Sequence, residues 1–156
     1  PKPVFQKNDL VNLIKENIKL LQELDESIEI NFSNNFDKII HVSDNEQLSR
    51  VFFNLIKNSI ESIQQKIEKD NNNINKITIE LIDFDDHIKL IIVDTGIGFG
   101  NLKSKIKDIL NPYFTTKKNG TGLGLSIVNK IINDHNGNIK FIPMHNGAKI
   151  EIIFVK

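Results

Sequence analysis

The chain has 156 residues, with 20 basic and 20 acidic side chains and no cysteine. Its length predicts one domain that can bury a hydrophobic core. Its balanced charge gives nucleic acid and anionic membrane surfaces no general attraction. The lack of cysteine excludes disulfides and thiolate metal sites. No apolar run approaches the roughly 20 residues of a membrane span, and the first residues are unlike a signal peptide.

The N-terminal segment begins without methionine and contains two prolines in its first three residues. This composition predicts a linker over residues 1–8 and a domain over residues 9–156, so we expect a fragment of a longer protein. Asp9 can cap a first helix over residues 10–24. The apolar stripe predicted for that helix consists of Leu10, Ile14, Ile18, Leu21 and Leu24.

The next elements are two short strands, predicted at residues 27–32 and 38–42. Ser43 and Glu46 are then predicted to form a capping box that starts the longest helix, which is predicted to end near Lys69. After a polar loop, strands at 77–84 and 88–93 form a hairpin. This part of the chain therefore predicts strands on either side of one long helix.

The C-terminal part predicts a helix from Gly124 to near Asp134, followed by a hairpin of strands at 138–144 and 148–155. His135 follows this helix, where a histidine usually caps carbonyl groups. The order of elements predicts an α+β fold. Its helices pack on one face of a mixed, mainly antiparallel sheet, which makes a two-layer sandwich.

Glycine is concentrated between Asp94 and Val128, which contain six of the eight glycines. Glycine costs about 0.5–1 kcal/mol relative to alanine inside regular structure, so it clusters where the backbone bends or approaches a ligand. The first cluster follows the apolar run 88–93, which places Asp94 at a strand end. The second opens an apolar helix, whose N-terminal amides suit phosphate. Together they predict a nucleotide pocket, with Asp94 accepting a hydrogen bond from a base amino group.

The long helix carries a second group of polar residues. Asn54, Asn58, Glu61 and Gln65 form a narrow stripe opposite its apolar face. This stripe is either an ordinary solvent face or, at Asn54 and Asn58, a lining of the nucleotide pocket. An amide oxygen is a neutral hard ligand, which suits Mg²⁺.

Four segments follow one another in a recognisable order. They are residues 54–58 (NLIKN), 94–98 (DTGIG), 112–117 (PYFTTK) and 120–128 (GTGLGLSIV). These segments resemble the N, G1, F and G2 boxes in the catalytic ATP-binding domain of sensor histidine kinases. The third segment further resembles nitrogen-regulation sensor kinases of the NtrY or NtrB kind.

The resemblance implies the Bergerat fold, in which ATP lies under a lid between a helical layer and a mixed sheet. It implies that Asp94 receives the adenine amino group and that Asn58 coordinates Mg²⁺ at the phosphates, with Asn54 nearby. Gly96 and Gly98 would let the backbone pass beneath the base. Asn54 and Asn58 are therefore the expected catalytic residues of the long helix.

The other expected site residues lie mainly in and around the lid. The candidates to meet the phosphate charge are Lys57, Lys117 and Lys118, with Lys117 as a third catalytic residue, although exposed lysines are more often simply solvated. Phe114 would anchor the lid by its ring. The glycines would hinge the lid and present amides to phosphate. The remaining expected nucleotide contacts are Thr115, Thr116, Gly120, Thr121, Gly122, Leu123, Gly124 and Leu125.

The implied function is that of a cytoplasmic two-component kinase domain that uses ATP and Mg²⁺. It would transfer the γ-phosphoryl group to a histidine on a separate dimerisation domain of the same protein, which then serves a response regulator. The isolated domain would be a monomer and the full-length protein a homodimer. Neither nucleic acid nor direct membrane contact is expected, and inner-membrane anchoring of the full-length protein stays open.

The sequence departs from the family's pattern in two places. Leu110 and Asn111 replace the Phe and Glu found in many members, and Glu61 replaces a basic residue. Position 54 is an asparagine, whereas the hydrolysing relatives have a glutamate base there. Two other functions stay open: an ATPase of the gyrase, mismatch-repair or chaperone kind, and a non-catalytic nucleotide-sensing module.

Overall fold

In the computed structural model of the chain, the described residues are 2–69, 74–98 and 124–156. Within these ranges the chain forms three helices: α1 (Leu10–Gln22), α2 (Asn45–Lys69) and α3 (Gly124–Asp134). The same ranges contain seven strands: β1 (Gln6–Asp9), β2 (Glu29–Asn34), β3 (Ile40–Ser43), β4 (Lys76–Asp83), β5 (His87–Asp94), β6 (Gly137–Pro143) and β7 (Ala148–Val155). No helix among the described residues is long and apolar enough to cross a membrane.

The main sheet has five strands in the order β2-β4-β5-β7-β6. The β2–β4 pair is parallel, and the other three pairs are antiparallel. Alternate residues of β4, β5 and β7 are buried and join one core with the apolar faces of the three helices. The predicted fold class is therefore confirmed. β5 is the third of the five strands. Its last residue, Asp94, therefore lies in the middle of the row of strand ends on one side of the sheet.

A separate two-stranded sheet joins β1 to β3 in antiparallel register. No strand is predicted before Asp9, because the sequence Gln-Lys-Asn-Asp of β1 has no apolar alternation. Its strand conformation comes from pairing with β3, about 35 residues away in the chain. The Asn8 side chain strengthens this pairing by donating to the Ser43 carbonyl at 2.8 Å.

Helix α1 starts as predicted but ends earlier. The Asp9 carboxylate accepts a hydrogen bond from the Val11 amide at 3.1 Å, which confirms the N-cap. The helix ends at Gln22, close to the predicted end near Leu24. The prediction that Leu24 belongs to the apolar stripe is wrong, since Leu24 is 58% exposed. The Leu24 amide donates to the Leu21 carbonyl at 3.0 Å, and this turn takes Leu24 away from the apolar stripe.

Helix α2 is capped one residue later than predicted. The Asp44 carboxylate accepts from the Gln47 amide at 3.0 Å, so the predicted capping box of Ser43 and Glu46 is wrong. Ser43 is instead the buried last residue of β3, and its hydroxyl donates to the His41 carbonyl at 3.4 Å. The pairing of Ser43 with β1 therefore moves the N-cap of α2 to Asp44. The predicted end of the helix near Lys69 is confirmed.

Both predicted hairpins and the helix from Gly124 to Asp134 are confirmed. His135 is 4% exposed at the end of α3. Its Nδ1 donates to the Ile131 carbonyl at 2.7 Å, and its Nε2 accepts from the Asp44 amide at 3.0 Å. The interpretation of His135 as a cap is therefore confirmed, and this side chain also ties α3 to the start of α2.

Candidate nucleotide-binding site

Asp94 is the last residue of the central strand and is only 4% exposed. Its Oδ1 accepts a hydrogen bond from the Gly96 amide at 2.9 Å. The carboxylate also accepts from the Ser59 hydroxyl and from the Ala148 amide. Three parts of the chain, namely the loop after β5, helix α2 and strand β7, therefore hold this one side chain.

The electrostatics of Asp94 are unusual for a carboxyl group. Burial raises the pKa of Asp94 above its ordinary value, and the hydrogen bonds from Gly96, Ser59 and Ala148 and the charge of Lys66 lower it only in part. Ionisation of Asp94 therefore costs more than ionisation of an exposed aspartate. A buried carboxyl group whose charge is only partly compensated by the protein is a candidate for binding a ligand. A hydrogen-bond donor on the ligand can add the missing stabilisation of the charge.

The middle of α2 faces the loop that follows Asp94. The Ile97 amide donates to the Ser62 hydroxyl at 3.1 Å and to the Ser62 carbonyl at 3.3 Å. Further along the helix, Lys66 Nζ donates to the Thr95 carbonyl at 3.0 Å. These contacts fix the loop against one side of α2. The structure thus places residues 59–66 of α2 against residues 94–97. The segment 54–58 directly precedes this part of the helix.

Asn54 and Asn58 lie one turn apart on α2, and both are half-buried. Asn58 is followed directly by Ser59, which contacts Asp94, and it precedes Ser62 by one helical turn. Lys57 is exposed. Asn58 therefore directly precedes the part of the helix that meets the loop after β5, and Asn54 lies one turn before Asn58. Their contacts with a nucleotide stay predictions.

Two glycines of that loop are explained by close packing within the protein. A Cβ on Gly96 would lie 2.7 Å from the backbone carbon of Ser62, which is too close. Gly98 has a φ of +70°, and a Cβ there would lie 3.1 Å from the carbonyl carbon of Gly147. These contacts account for both glycines without a ligand. The implied passage of the backbone beneath a base stays a prediction.

Of the expected contacts on the second glycine-rich segment, only Gly124 and Leu125 are described. Gly124 opens α3, and nothing described lies within 4 Å of a Cβ built on it. Leu125 is partly buried against the core, so its side chain serves packing. The expected contacts outside the described residues are Phe114, Thr115, Thr116, Lys117, Gly120, Thr121, Gly122 and Leu123.

The donor chemistry of the described residues fits a magnesium nucleotide. Asn58 offers a neutral amide oxygen, and Mg²⁺ usually takes one or two protein oxygens while phosphates and water supply the rest. Among residues 2–69, 74–98 and 124–156, no group of three His, Asp or Glu side chains could hold a metal ion by itself. Asp94 offers a buried acceptor for an amino group of the base.

Ser59, Ser62, Lys66 and Gly147 shape this site, but their roles are not predicted from the sequence. Ser59 directly follows an asparagine that is predicted to line the pocket, so its position was a usable signal. Ser62 and Lys66 lie three and seven residues beyond Ser59 and hence on the same side of a helix. Gly147 had no such signal, because it reaches Asp94 only through the pairing of β5 with β7.

Comparison with known proteins agrees with this geometry. Residues 43–156 match the family described as histidine kinase-, DNA gyrase B- and HSP90-like ATPases. An NtrY-like sensor histidine kinase of Rickettsia felis is 33% identical over 155 residues, which are 99% of this chain but only 24% of that protein. The chain therefore spans about a quarter of the length of this relative.

Solved structures give the same result. The nucleotide-free catalytic domain of the histidine kinase ThkA is 30% identical with a TM-score of 0.82, covering 98% of this chain and 96% of that one. ThkA in complex with the response regulator protein TrrA is 25% identical with a TM-score of 0.79, covering 97% of this chain and 42% of that one. The resemblance found in the sequence is confirmed. The chain belongs to the family of histidine kinase-, DNA gyrase B- and HSP90-like ATPases, and its fold is that of a histidine kinase catalytic domain.

Proposed function

We propose that this chain binds ATP with Mg²⁺ and serves as the catalytic domain of a two-component sensor histidine kinase. In this proposal, the γ-phosphoryl group passes to a histidine on a separate dimerisation domain of the same protein. ATP is the nucleotide of the family to which the chain belongs. The observation that carries the proposal is the buried Asp94 carboxylate, held at the end of the central strand against the asparagine-bearing part of α2.

The residue roles follow from the chemistry of the site. Asp94 accepts a hydrogen bond from the adenine amino group, whereas guanine would present a carbonyl oxygen to the same acceptor. Asn58 would hold Mg²⁺ by its amide oxygen, and Asn54, one turn away, would lie beside the phosphates. Bound Mg²⁺ supplies charge neutralisation at the phosphates, and the chain supplies orientation. We propose that Lys57 and Lys117 form ion pairs with the phosphate groups.

Phosphoryl transfer, rather than hydrolysis, is favoured by the residue at position 54. A water that attacks the γ-phosphate needs a general base within about 3 Å. Such a base increases the rate of hydrolysis roughly 10²–10⁴-fold. Asn54 is half-buried on the same helical stripe as Asn58, and an amide has no useful basicity. The nucleophile and its base therefore come from another domain, which separates this proposal from a gyrase-, repair- or chaperone-like ATPase.

The proposed partners are the histidine-bearing dimerisation domain and a response regulator. ThkA, a relative of known structure, is seen with the response regulator TrrA, which supports the second partner by analogy. We propose a cytoplasmic location for this domain and a homodimeric full-length protein. The boundary of the domain near residue 8 also stays a proposal, although Val4 already contacts Asp44.

Radiolabelled ATP tests the proposal directly. The chain, incubated with Mg²⁺ and γ-labelled ATP, should hydrolyse less than about one ATP per minute because Asn54 cannot act as a general base. It should label a separately supplied dimerisation domain of its own full-length protein and should not label itself. Asn58→Ala should abolish the transfer. Rapid hydrolysis that is lost in Asn58→Ala and is unchanged by the acceptor domain would favour the ATPase alternative.

Asn54→Glu sharpens the same test. It restores a carboxylate at the position that lacks one, so hydrolysis without an acceptor should rise by at least about tenfold, a small part of what a well-placed base contributes. Asn54→Gln is the matched control, because it adds the same length without basicity. If both variants hydrolyse ATP at the rate of the unmutated chain, position 54 does not decide between transfer and hydrolysis.

A further inference from the structure

We infer that Lys66 is a positioning residue of the nucleotide site: its ammonium group holds the loop after β5 and supplies positive charge to the buried Asp94 carboxylate. Lys66 lies on α2, eight residues beyond Asn58 and outside all four sequence motifs. The inference rests on the proposed function, since that function gives Asp94 its role toward the adenine base. It goes beyond that function by assigning a residue that acts on the base through Asp94.

The ammonium group of Lys66 is anchored on the residue that follows Asp94. The side chain is half-buried, and its Nζ donates to the Thr95 carbonyl at 3.0 Å. Thr95 is itself fixed on β4, because its amide donates to the Lys76 carbonyl at 3.2 Å and its hydroxyl accepts from the Lys76 amide at 3.0 Å. The same hydroxyl donates to the Ile74 carbonyl at 2.6 Å. Lys66 therefore links the second half of α2 to a loop residue that cannot easily move.

The charge of Lys66 acts on a carboxyl group that is short of compensation. Burial raises the pKa of Asp94, and the hydrogen bonds from Gly96, Ser59 and Ala148 lower it in part. These three donors are neutral, and among charged side chains of the described residues Lys66 has the largest effect on the pKa of Asp94, which it lowers. A nearby positive charge favours the ionised carboxylate. That form accepts a stronger hydrogen bond from an amino group than a neutral acceptor does.

Other charged side chains on the elements around Asp94 are less well placed. Lys76 precedes Ile77, the β4 partner of Asp94, and Lys149 follows Ala148, its β7 partner. Because neighbouring side chains of a strand point to opposite faces of the sheet, neither lysine shares the face of Asp94. The remaining titratable groups on these described segments are Glu61 on α2 and His145 in the turn before β7.

Three substitutions at position 66 separate the charge from the hydrogen bond. Lys66→Arg keeps both, Lys66→Gln keeps a donor without the charge, and Lys66→Met keeps the length with neither. Lys15→Met is the matched control, because it removes the same charge from an exposed position on α1. Its neighbour Asn17 contacts Ser49 near the start of α2 at 3.1 Å, whereas Lys66 lies near the end of that helix.

Carbon-13 NMR of the Asp94 carboxyl group, in the chain without nucleotide, measures the effect directly. The pKa of Asp94 should rise in Lys66→Met and Lys66→Gln, because removal of a positive charge disfavours the ionised form. It should be unchanged in Lys66→Arg and Lys15→Met. Equal titration of Asp94 in all variants would overturn the inference. So would a rise in Lys66→Met that is absent in Lys66→Gln, since the hydrogen bond and not the charge would then matter.

Calorimetry tests the consequence for the nucleotide. At pH 7, Lys66→Met should bind ATP about three- to tenfold more weakly, because the loop beside Asp94 loses a hydrogen bond from a charged donor. Purine riboside triphosphate has hydrogen in place of the 6-amino group, so the ratio of the ATP affinity to its affinity reports on Asp94 while the phosphates cancel. As the pH is lowered, this ratio should fall at a higher pH in Lys66→Met than in the unmutated chain or Lys66→Arg. An unshifted pH dependence would contradict the inference.

The outcomes separate this inference from the proposed function. If the unmutated chain does not bind ATP, the proposed function fails, and the NMR titration still tests the action of Lys66 on Asp94. If the chain binds ATP and Asp94 titrates alike in all variants, the inference alone is wrong.

Urea unfolding at pH 7 gives a second measurement that needs no nucleotide. Lys66→Met should lower the free energy of unfolding more in the unmutated chain than in Asp94→Asn, where the ammonium group has no carboxylate to act on. Lys15→Met should have the same effect in both backgrounds. Equal losses for Lys66→Met in the two backgrounds would show that Lys66 does not act on Asp94, and would overturn the inference.

Discussion

Helix α2 meets one aspartate at its start and another in its second half, and the two carboxylates have opposite electrostatics. Asp44 caps the helix and accepts from the backbone amides of Val4 at 2.8 Å and Gln47 at 3.0 Å. These hydrogen bonds lower the pKa of Asp44. Asp94, held by Ser59 of the same helix, is buried, and burial raises its pKa.

The opposite signs of these pKa shifts give the two aspartates opposite effects on stability. The stability that Asp44 contributes is present above its ordinary pKa of 3.8 and is lost as the pH falls below that value. Asp94 behaves in the opposite way: its ionisation begins to cost stability as the pH rises from 3.8 toward its raised pKa. A charge that costs stability at neutral pH is expected where a ligand uses it.

The largest effect is expected for Asp94→Asn. Replacing the charged acceptor should lower ATP affinity by about 100-fold, because a hydrogen bond to a charged group is lost and a buried donor is left unpaired. GTP should suffer less, since asparagine can also donate to a carbonyl. Calorimetry with both nucleotides measures this change. Asp44→Asn is the control and should bind ATP normally; an equal loss in the two variants would remove the distinction between the two aspartates.

His135→Phe should have the next largest effect, and it should act on stability alone. The variant keeps a flat ring but loses the hydrogen bonds to the Ile131 carbonyl and the Asp44 amide, which should cost about 2 kcal/mol of unfolding free energy. Denaturant unfolding measures the loss. His135→Gln can restore one of the two bonds and should recover part of it. If His135→Phe weakens ATP binding in the folded state, the start of α2 is not merely structural.

Asp44→Ala should cost about 1 kcal/mol, the usual value for the loss of an N-cap. The carboxylate also anchors Val4, so protection of the Val4 amide from hydrogen exchange should fall as well. Asp37→Ala, an exposed aspartate in the loop before β3, is the matched control and should leave stability unchanged. Equal stability of the two variants would show that the cap at Asp44 contributes nothing.

The smallest effect concerns the free energy of unfolding. Its difference between Asp94→Asn and the unmutated chain should depend on pH. Because the folded pKa of Asp94 is raised, the unmutated chain loses stability relative to the variant as the pH rises from 3.8. Urea unfolding at a series of pH values measures this difference. It should grow in favour of the variant until Asp94 is fully ionised, and then stay constant. A difference that shrinks over this range would mean that the pKa of Asp94 is lowered.

Local patterns predict the position of Asp94, because an apolar run that ends in a glycine cluster indicates a strand end, and the structure places Asp94 there. The role of Asn58 stays a prediction, since the polar stripe alone leaves an ordinary solvent face open and the role comes from the resemblance to sensor histidine kinases. The cap at Asp44 was placed one residue too early, since the pairing of Ser43 with β1 depends on residues about 35 positions away. The contact of Gly147 with Asp94 likewise exists only after β5 and β7 pair, and no local pattern contains it.

One measurement tests most directly whether Asp94 recognises the base: calorimetric titration of the unmutated chain with ATP and with GTP in the presence of Mg²⁺. Guanine places a carbonyl oxygen against the Asp94 carboxylate, and two acceptors that face each other cost about 1–3 kcal/mol or more. ATP should therefore bind at least about tenfold more tightly than GTP. Equal affinities for the two nucleotides would contradict the role of Asp94 on which this account depends.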